Sequence, residues 1–396
     1  FLMFLDATQK TTEEYVALLI QHHEVLILEN HWSEGLRQDI ITQLALENIY
    51  DLVIYRRQPE ESFSDYVLCI DGYRPSYAVV KAYPERSFWQ KSYPILILVS
   101  LCFLFTGLTA RKFDLMMSFA FLVFNPICMG ALSQYVLNMQ TVNSISNMFK
   151  QQLMFFIGVL IISVVVLREG TICVIMASPL IYGALVAGAA IMRAVCIYLW
   201  KPTVKVYSLA MLPLLALLVI PHHAEDLSGT TKRELIIQAP QAEVFRAINN
   251  IQNIKDNEII DSPIFTMGFP KPVSGMTENT ENGLIRQIYW QRGVHFQEKV
   301  IHSTAPNLLS WTYVFDKNSF PKGSLDDHVE IGGQYFDLLT TDYRLEAVSP
   351  NQTKLILTID YRLTTEINWY AKPWADYVLN EFSDVVLNVY KHRLEK

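Results

Sequence analysis

The chain has 396 residues, of which 51% are hydrophobic, and its 32 basic against 39 acidic residues give a formal net charge of −7. This length favours more than one domain, and this apolar content exceeds that of an ordinary soluble protein. The acidic balance, without a cluster of basic residues, argues against a nucleic-acid partner.

The charged residues divide the chain into three parts, which we predict as domains over residues 1–91, 92–221 and 230–396. Residues 1–91 carry 8 basic and 14 acidic residues, residues 92–220 carry 7 and 2, and residues 221–396 carry 17 and 23. Two acidic soluble parts therefore flank a charge-poor middle, which is typical of a membrane domain.

The first part is expected to be a small soluble α+β domain. Apolar spacing predicts helices over residues 11–22 and 35–48, and short apolar runs predict strands over residues 24–28, 52–55, 66–70 and 76–80. His22 and His23 are adjacent and point in different directions on either kind of element, so we expect no metal site here. The cysteine spacing is not that of a zinc or redox site, and no cofactor is expected.

The middle part is predicted to be a helical transmembrane bundle. Five apolar segments approach the length needed to cross the hydrocarbon core: residues 94–110, 113–136, 153–167, 171–192 and 204–220. A four-span arrangement remains open, because the third and fifth segments are short. The spans contain no relay of charged residues, so an anchor or a partner-binding scaffold is favoured over a transport path. Small residues in GALVAGAA permit close contact between helices. The helix in contact could belong to this chain or to a membrane-protein partner.

The flanking basic residues suggest an orientation. With five spans, six Lys and Arg residues collect on the side of the N terminus and five on the other side. Because cytoplasmic flanks carry the excess of basic residues, we expect an integral protein of the bacterial inner membrane with a cytoplasmic N terminus and an exported C-terminal domain.

The third part has a distinctive order of elements. A strand over residues 232–239 is followed by helical stretches over residues 241–250 and 253–259. Hairpin turns then separate a series of strands, and a long amphipathic helix closes the chain. The predicted strands and final helix cover residues 283–291, 294–304, 308–316, 328–348, 352–364 and 368–393.

This order of elements and three stretches of sequence are similar to those of a known fold. The stretches are RELIIQAPQAEVFRAINN from residue 233, GLIRQIYWQRGVHFQEKVIHSTAPNLLSW from residue 283 and the final YKHRLEK. Residues 230–396 resemble the helix-grip fold of the START-related lipid-transfer, polyketide cyclase and pollen-allergen superfamily. The resemblance implies an antiparallel sheet wrapped round a long helix, with a hydrophobic ligand held between them. No catalytic motif accompanies it.

Strand alternation predicts which side chains face that ligand. An inward face rich in aromatic rings and carrying a few charges suits an apolar cavity with orienting polar groups. The predicted wall comprises Arg286, Trp290, Phe296, Glu298, Trp311, Tyr313, Asp337, Tyr343, Tyr361 and Trp374. An alternative is a structural ion pair between Arg286 and Glu298, with Asp337 turned to solvent or a backbone amide.

Three functions follow from this pattern. The favoured one is a membrane-anchored binding protein, not an enzyme, that takes a lipid or a quinone-like molecule from the bilayer, with transfer of that molecule as an extension of binding. A second is an accessory subunit of a larger membrane complex. A third is a cyclase- or hydrolase-type enzyme that uses Glu298 or His302 as acid or base.

Overall fold

The computed structural model describes residues 2–6, 11–14, 17, 26–30, 34–46, 53–56, 79–81, 88–138, 144–199, 212–281 and 283–395. The chain forms two compact units, Phe1–Tyr93 and Pro94–Lys396. Our division of the second unit into a membrane part and a C-terminal domain remains a prediction.

The first unit contains a four-stranded mixed sheet. Strands β1 (Leu2–Asp6), β2 (Leu26–Asn30) and β3 (Val53–Arg56) pair in parallel, and β4 (Val79–Lys81) joins β3 antiparallel. Helix α1 spans Glu34–Leu46. These elements lie within a few residues of the predicted ones, although β1 was not predicted. The strand predicted over residues 66–70 and most of the helix over residues 11–22 lie outside the described residues, and the α+β class stays a prediction.

A series of apolar helices occupies the first part of the second unit, and the first of these helices begins at Phe88, before the unit boundary at Tyr93. They are α2 (Phe88–Lys112), a π-helical turn (Ala120–Phe124) continuous with α3 (Asn125–Leu137), α4 (Ile145–Val165), α5 (Thr171–Tyr198) and α6 (Leu212–Val219). Among the described residues, three segments are long and apolar enough to cross a membrane: Ala120–Leu137, Ile145–Val165 and Thr171–Tyr198. The number of spans, five or four, stays a prediction.

Glycines allow α3 and α5 to touch backbone to backbone. A Cβ atom added to Gly188 would lie 2.0 Å from the Ile127 carbonyl oxygen, and one added to Gly130 would lie 2.0 Å from the Leu185 carbonyl oxygen. Gly183, by contrast, has open space around its Cα. Within GALVAGAA, the position that needs a small residue is therefore Gly188.

The C-terminal domain is a curled sheet around one long helix. Its elements are β5 (Glu225–Ile237), α7 (Gln241–Asn249), β6 (Asn250–Ile251), α8 (Pro263–Met267), β7 (Pro272–Thr280), β8 (Gly283–Trp290), β9 (His295–Thr304), β10 (Leu308–Val314), β11 (Phe336–Ser349), β12 (Gln352–Thr365) and α9 (Asn368–Leu394). The antiparallel strand order is β5-β12-β11-β10-β9-β8-β7-β6. The expected helix-grip architecture is confirmed.

Alternation and helical spacing explain this packing. Leu355, Leu357, Ile359, Tyr361 and Leu363 alternate along β12 and are all buried, as a strand with one face on the core requires. The apolar stripe of α9 is buried at Val378, Val385 and Val389. Burying such side chains stabilises the fold by about 1.5–3 kcal/mol each before the cost in entropy.

Several elements of this domain differ from the prediction. Strand β5 begins at Glu225 rather than at residue 232, and the helical stretch predicted over residues 253–259 is a 3-10 turn at Asp256–Glu258. Strand β7 lies between the elements predicted at residues 253–259 and 283–291, where we predicted no strand, since Pro272 and Gly275 hide its alternation in the sequence. The strand expected to begin at His328 begins at Phe336, because residues 327–329 form a 3-10 turn instead.

Acidic side chains attach the C-terminal domain to the apolar helices. Glu366 accepts a hydrogen bond from the Phe119 N–H at 2.8 Å, and its other oxygen lies 3.0 Å from His222 Nδ1. Asp326 accepts one from the Cys173 N–H at 2.8 Å. Both carboxylates meet N–H groups at helix starts, where negative charge is stabilising.

Hydroxyl and apolar contacts complete this attachment. The Tyr370 hydroxyl donates to the Met176 carbonyl at 2.6 Å, and the Thr171 hydroxyl donates to the Met267 carbonyl at 3.1 Å. Ile367 is buried in the apolar core of the helices. We call this set of contacts, at the start of α5 and the start of α9, the junction.

Candidate functional site

A cavity of about 250 Å³ lies between the inner face of the sheet and helix α9. Its walls are mostly apolar, and α9 contributes side chains from Ala371 to Tyr390. The position agrees with what the resemblance implied for a ligand.

Aromatic rings build the sheet side of the cavity. The Phe296 ring lies 5.9 Å from that of Tyr313 and 5.7 Å from that of Phe315, between ring centroids. Trp290 packs edge to face on Phe382 of α9 at 5.0 Å. Such contacts fix the rings without polar partners, so they form a stiff apolar wall.

A buried ion pair forms the polar end of the cavity. The Arg286 guanidinium donates a short hydrogen bond to Glu298 across the β8–β9 pair, and both side chains are buried. Arg286 also donates to the Ile248 carbonyl at 3.0 Å and lies over the Trp311 ring at 4.6 Å. The pair is neutral as a whole, so the cavity has a dipolar end without net charge.

Hydroxyl groups surround this pair. The Tyr313 hydroxyl lies 2.6 Å from Thr341 Oγ1, and the Tyr343 ring packs edge to face on Tyr390 at 5.9 Å. Burial raises the pKa of all three tyrosines, so they remain neutral donors.

Burial also shifts the pKa of the Glu298 carboxyl. Loss of hydration raises the pKa of Glu298, and the adjacent Arg286 guanidinium opposes that rise. Burial acts to lower the pKa of Arg286, but Glu298 and the nearby tyrosines raise it overall. The Trp311 N–H is close enough to lower the pKa of Glu298 slightly, yet by geometry it makes no hydrogen bond with the described residues. The arginine is therefore permanently charged, whereas the carboxyl is the group able to take up a proton.

Eight of the ten predicted wall residues line the cavity, and two do not. Those present are Arg286, Trp290, Phe296, Glu298, Trp311, Tyr313, Tyr343 and Trp374. The two outside the wall are Asp337 and Tyr361.

A β-bulge accounts for Asp337. The β11–β12 register pairs Leu338 with Tyr361 and then Thr340 with Asp360, which leaves Leu339 unpaired. The extra residue inverts the alternation, so Leu338 rather than Asp337 faces the cavity. A sequence pattern alone does not locate such a bulge.

Tyr361 lies on the inner face of β12 but is packed beneath the helix instead of along the cavity. Its hydroxyl donates to Asp376 of α9 at 2.5 Å, and its ring covers Gly229. Because it is fully buried, it belongs to the core that holds α9 on the sheet.

A second bulge moves His302 away from the site. Strand β10 pairs Ser310 with His302 and Trp311 with Val300, so Ile301 is unpaired. His302 is exposed and does not line the cavity, which removes it as the acid or base considered above.

Several wall residues were missed by the sequence analysis. Phe320, Leu325 and Tyr390 line the cavity, as do Met117 and Met176 from the apolar-helix part. Phe320 lies between strands β10 and β11, and strand alternation gives no information about loops. The two methionines carry no sequence signal, since any apolar segment contains such residues.

Among the residues that the structure describes, no group of three or more His, Cys, Asp or Glu side chains is placed to hold a metal ion. The polar end of the cavity contains a single carboxylate beside an arginine, which suits an organic polar group better than a cation.

Known proteins show only a distant similarity to this chain. No protein-family model and no curated protein sequence matches the chain. Among solved structures, it is similar to the protein XoxI from Bacillus cereus at 11% identity, covering 42% of this chain and 96% of that chain with a TM-score of 0.28. A START superfamily protein from Mycobacterium smegmatis is 9% identical, with 42% and 97% covered and a TM-score of 0.28.

An aromatase/cyclase from Streptomyces is 12% identical, with 43% of this chain and 94% of that chain covered and a TM-score of 0.29. Likeness at this level carries no argument about ligand or reaction. The fold assignment rests on the strand order and on the position of α9.

Proposed function

We propose that this chain is a membrane-anchored protein whose C-terminal domain binds a lipid or quinone-like hydrophobic molecule in the cavity under α9. The observation that carries the proposal is an apolar cavity of about 250 Å³ with one neutral, dipolar end. Ligand sites commonly combine an apolar wall with a few placed polar groups. Anchoring to a membrane would raise the local concentration of a ligand that dissolves in it.

The charge of the polar end indicates the chemistry of the ligand. Arg286 and Glu298 already neutralise each other, so an ionised ligand would add an uncompensated charge in a buried site. Arg286 Nε and Trp311 Nε1 are buried N–H donors without a partner among the described residues. A neutral carbonyl oxygen would suit such donors, so a ketone, quinone or ester is favoured over a carboxylate.

A cavity-filling variant tests binding. Ala375 lines the cavity on α9, and Ala375→Phe would fill a large part of it. The matched control is Ala242→Phe, at an exposed position on α7 outside the cavity. Native mass spectrometry of the full chain, with extraction of bound molecules, should show about one hydrophobic ligand per wild-type chain and per control, and a strongly reduced amount in Ala375→Phe. An unchanged amount in that variant, or no ligand even after incubation with lipid, would contradict the proposal.

A proton-transfer enzyme is the second candidate, and the raised pKa of Glu298 favours it. Carboxyls tuned toward neutrality by burial are common at catalytic sites, although structural ion pairs also perturb pKa values. Glu298→Gln should then abolish turnover of a bound carbonyl compound while leaving ligand occupancy unchanged. A binding protein would show no turnover in either form.

The location of the protein is part of the proposal. We place the N terminus in the cytoplasm and the C-terminal domain outside the inner membrane, from the bias of basic flanking residues. Cysteine labelling in cells at residues 20 and 230 should modify only residue 230 with a membrane-impermeant reagent. Labelling of both positions from one side would contradict the five-span arrangement. If the chain is instead an accessory subunit of a larger membrane complex, a partner subunit should copurify with it in a fixed ratio.

A further inference from the structure

The cavity is elongated and does not end inside the C-terminal domain. Along α9 its wall runs from Ala371 to Tyr390, a distance of roughly 28 Å at 1.5 Å per residue. The polar end lies near Tyr390, where Arg286 and Glu298 are found, because these groups interact with its phenol. The opposite end lies near Ala371, at the start of α9.

At that opposite end the apolar helices complete the wall. Met117 precedes the π-helical turn, Met176 lies in the second turn of α5, and both line the cavity while remaining partly exposed. Tyr370, next to Ala371, donates its hydroxyl to the carbonyl of Met176 itself. We call the part of the wall formed by these two methionines the mouth.

The junction holds the mouth in place. Hydrogen bonds from Phe119 to Glu366 and from Cys173 to Asp326 lie on either side of it. Methionine side chains are unbranched and flexible, so they can move aside while the backbone around them stays fixed. The mouth thus combines a fixed frame with movable apolar side chains.

The exposed residues around the mouth are of the types found at a membrane–water interface. Trp369 is 63% exposed at the start of α9, Phe113 is 56% exposed and Phe119 is 39% exposed. Amphipathic aromatic residues are enriched at the membrane surface, and exposed apolar groups favour burial there. Lys112 lies over the Phe113 ring at 5.8 Å, and basic groups at a helix end suit the headgroup region.

From these observations we infer that the ligand passes directly between the bilayer and the cavity through the mouth at Met117 and Met176, without crossing water. The molecule that fits is a long, single-chain compound with a neutral carbonyl group. The carbonyl group reaches the Arg286–Glu298 end, and the apolar chain extends back to the mouth. This inference rests on the proposed function, since it concerns the route of the same ligand.

The test uses the full chain reconstituted in vesicles of phosphatidylcholine and phosphatidylglycerol. The probe is the methyl ester of a diazirine-bearing octadecanoic acid, which enters the bilayer and is crosslinked by a light flash at successive times. Adducts on Ile145–Val165 report probe in the membrane, and adducts on the peptide that contains Trp311 report probe in the cavity. Met176→Phe obstructs the mouth, and Ile175→Phe is the matched control, because Ile175 is exposed and does not line the cavity.

We expect Met176→Phe to slow the appearance of cavity adducts about tenfold, which corresponds to a barrier increase of about 1.4 kcal/mol. The membrane adducts should stay unchanged, and Ile175→Phe should match the wild type both in loading rate and in final cavity occupancy. Equal loading rates in all three proteins, with normal occupancy, would overturn the route and leave ligand binding intact. Absence of cavity adducts in the wild type would instead refute the proposed function.

A smaller side chain keeps the test decisive if Met176→Phe folds poorly or loses occupancy. Met176→Ala widens the mouth, and we expect cavity adducts to form faster than in the wild type. An unchanged rate in a folded Met176→Ala protein would also overturn the route.

Discussion

Replacing Glu298 by Leu should strongly destabilise the C-terminal domain. The change leaves the guanidinium of Arg286, which is 3% exposed, without its counter-charge and without the carboxyl oxygen that accepts its hydrogen bond, an acceptor that a protonated Glu298 would still provide. Arginine does not lose its proton in proteins, so this charge remains. Breaking a buried pair in this way costs about 3–5 kcal/mol, and the remaining contacts of Arg286 with the Ile248 carbonyl and the Trp311 ring favour the lower value.

The partner and double variants separate charge from packing. Arg286→Met leaves a carboxyl that can take up a proton, so its cost should be smaller and should decrease as the pH falls. The double variant Arg286→Met with Glu298→Leu removes both charges and should lie within about 1 kcal/mol of the wild type, because apolar replacements of buried pairs are often neutral. The coupling between the two sites should therefore be large.

Denaturant unfolding of the full chain in detergent micelles, followed by tryptophan fluorescence, measures these free energies. For a domain of roughly 150–250 residues, a loss of 3–5 kcal/mol lowers the Tm by about 6–20 °C. A cost below about 1 kcal/mol for Glu298→Leu, or a double variant as unstable as the sum of the single ones, would refute the reasoning.

Three further outcomes are expected. The folded-state pKa of Glu298 is raised above its unfolded value, so its contribution to stability is complete below about pH 4.5 and is lost as the pH rises through the folded pKa. The stability of the wild type relative to Glu298→Gln, measured by denaturation across this range, should decrease with pH, and a rising difference would contradict the assignment. Gly188→Ala should separate α3 from α5 and lower the Tm, whereas Gly183→Ala on the same helix should be neutral or stabilising by up to about 1 kcal/mol; equal effects would argue against the close contact. Glu366→Gln should weaken the junction by roughly 0.3–1 kcal/mol and speed amide hydrogen exchange at Phe119, and unchanged exchange would show that the carboxylate charge has no role there.

The sequence by itself determined much of this protein. The paucity of charges over residues 92–220 marked the apolar helices, and alternation with hairpin turns identified most strands of the C-terminal sheet. It also brought Arg286 and Glu298 to the same face of neighbouring strands. These features depend on spacing along one or two elements, which a sequence records directly.

Only the tertiary structure decided the shape and the mouth of the cavity. The bulges at Leu339 and Ile301 invert which side chains face inward, and they are irregularities in the pairing between strands, which alternation along a single strand does not record. Met117 and Met176 join the wall because the domain is attached at the start of α5, far from the strands in sequence. A contact of this kind depends on the packing of separate elements, so no periodicity within a single element predicts it.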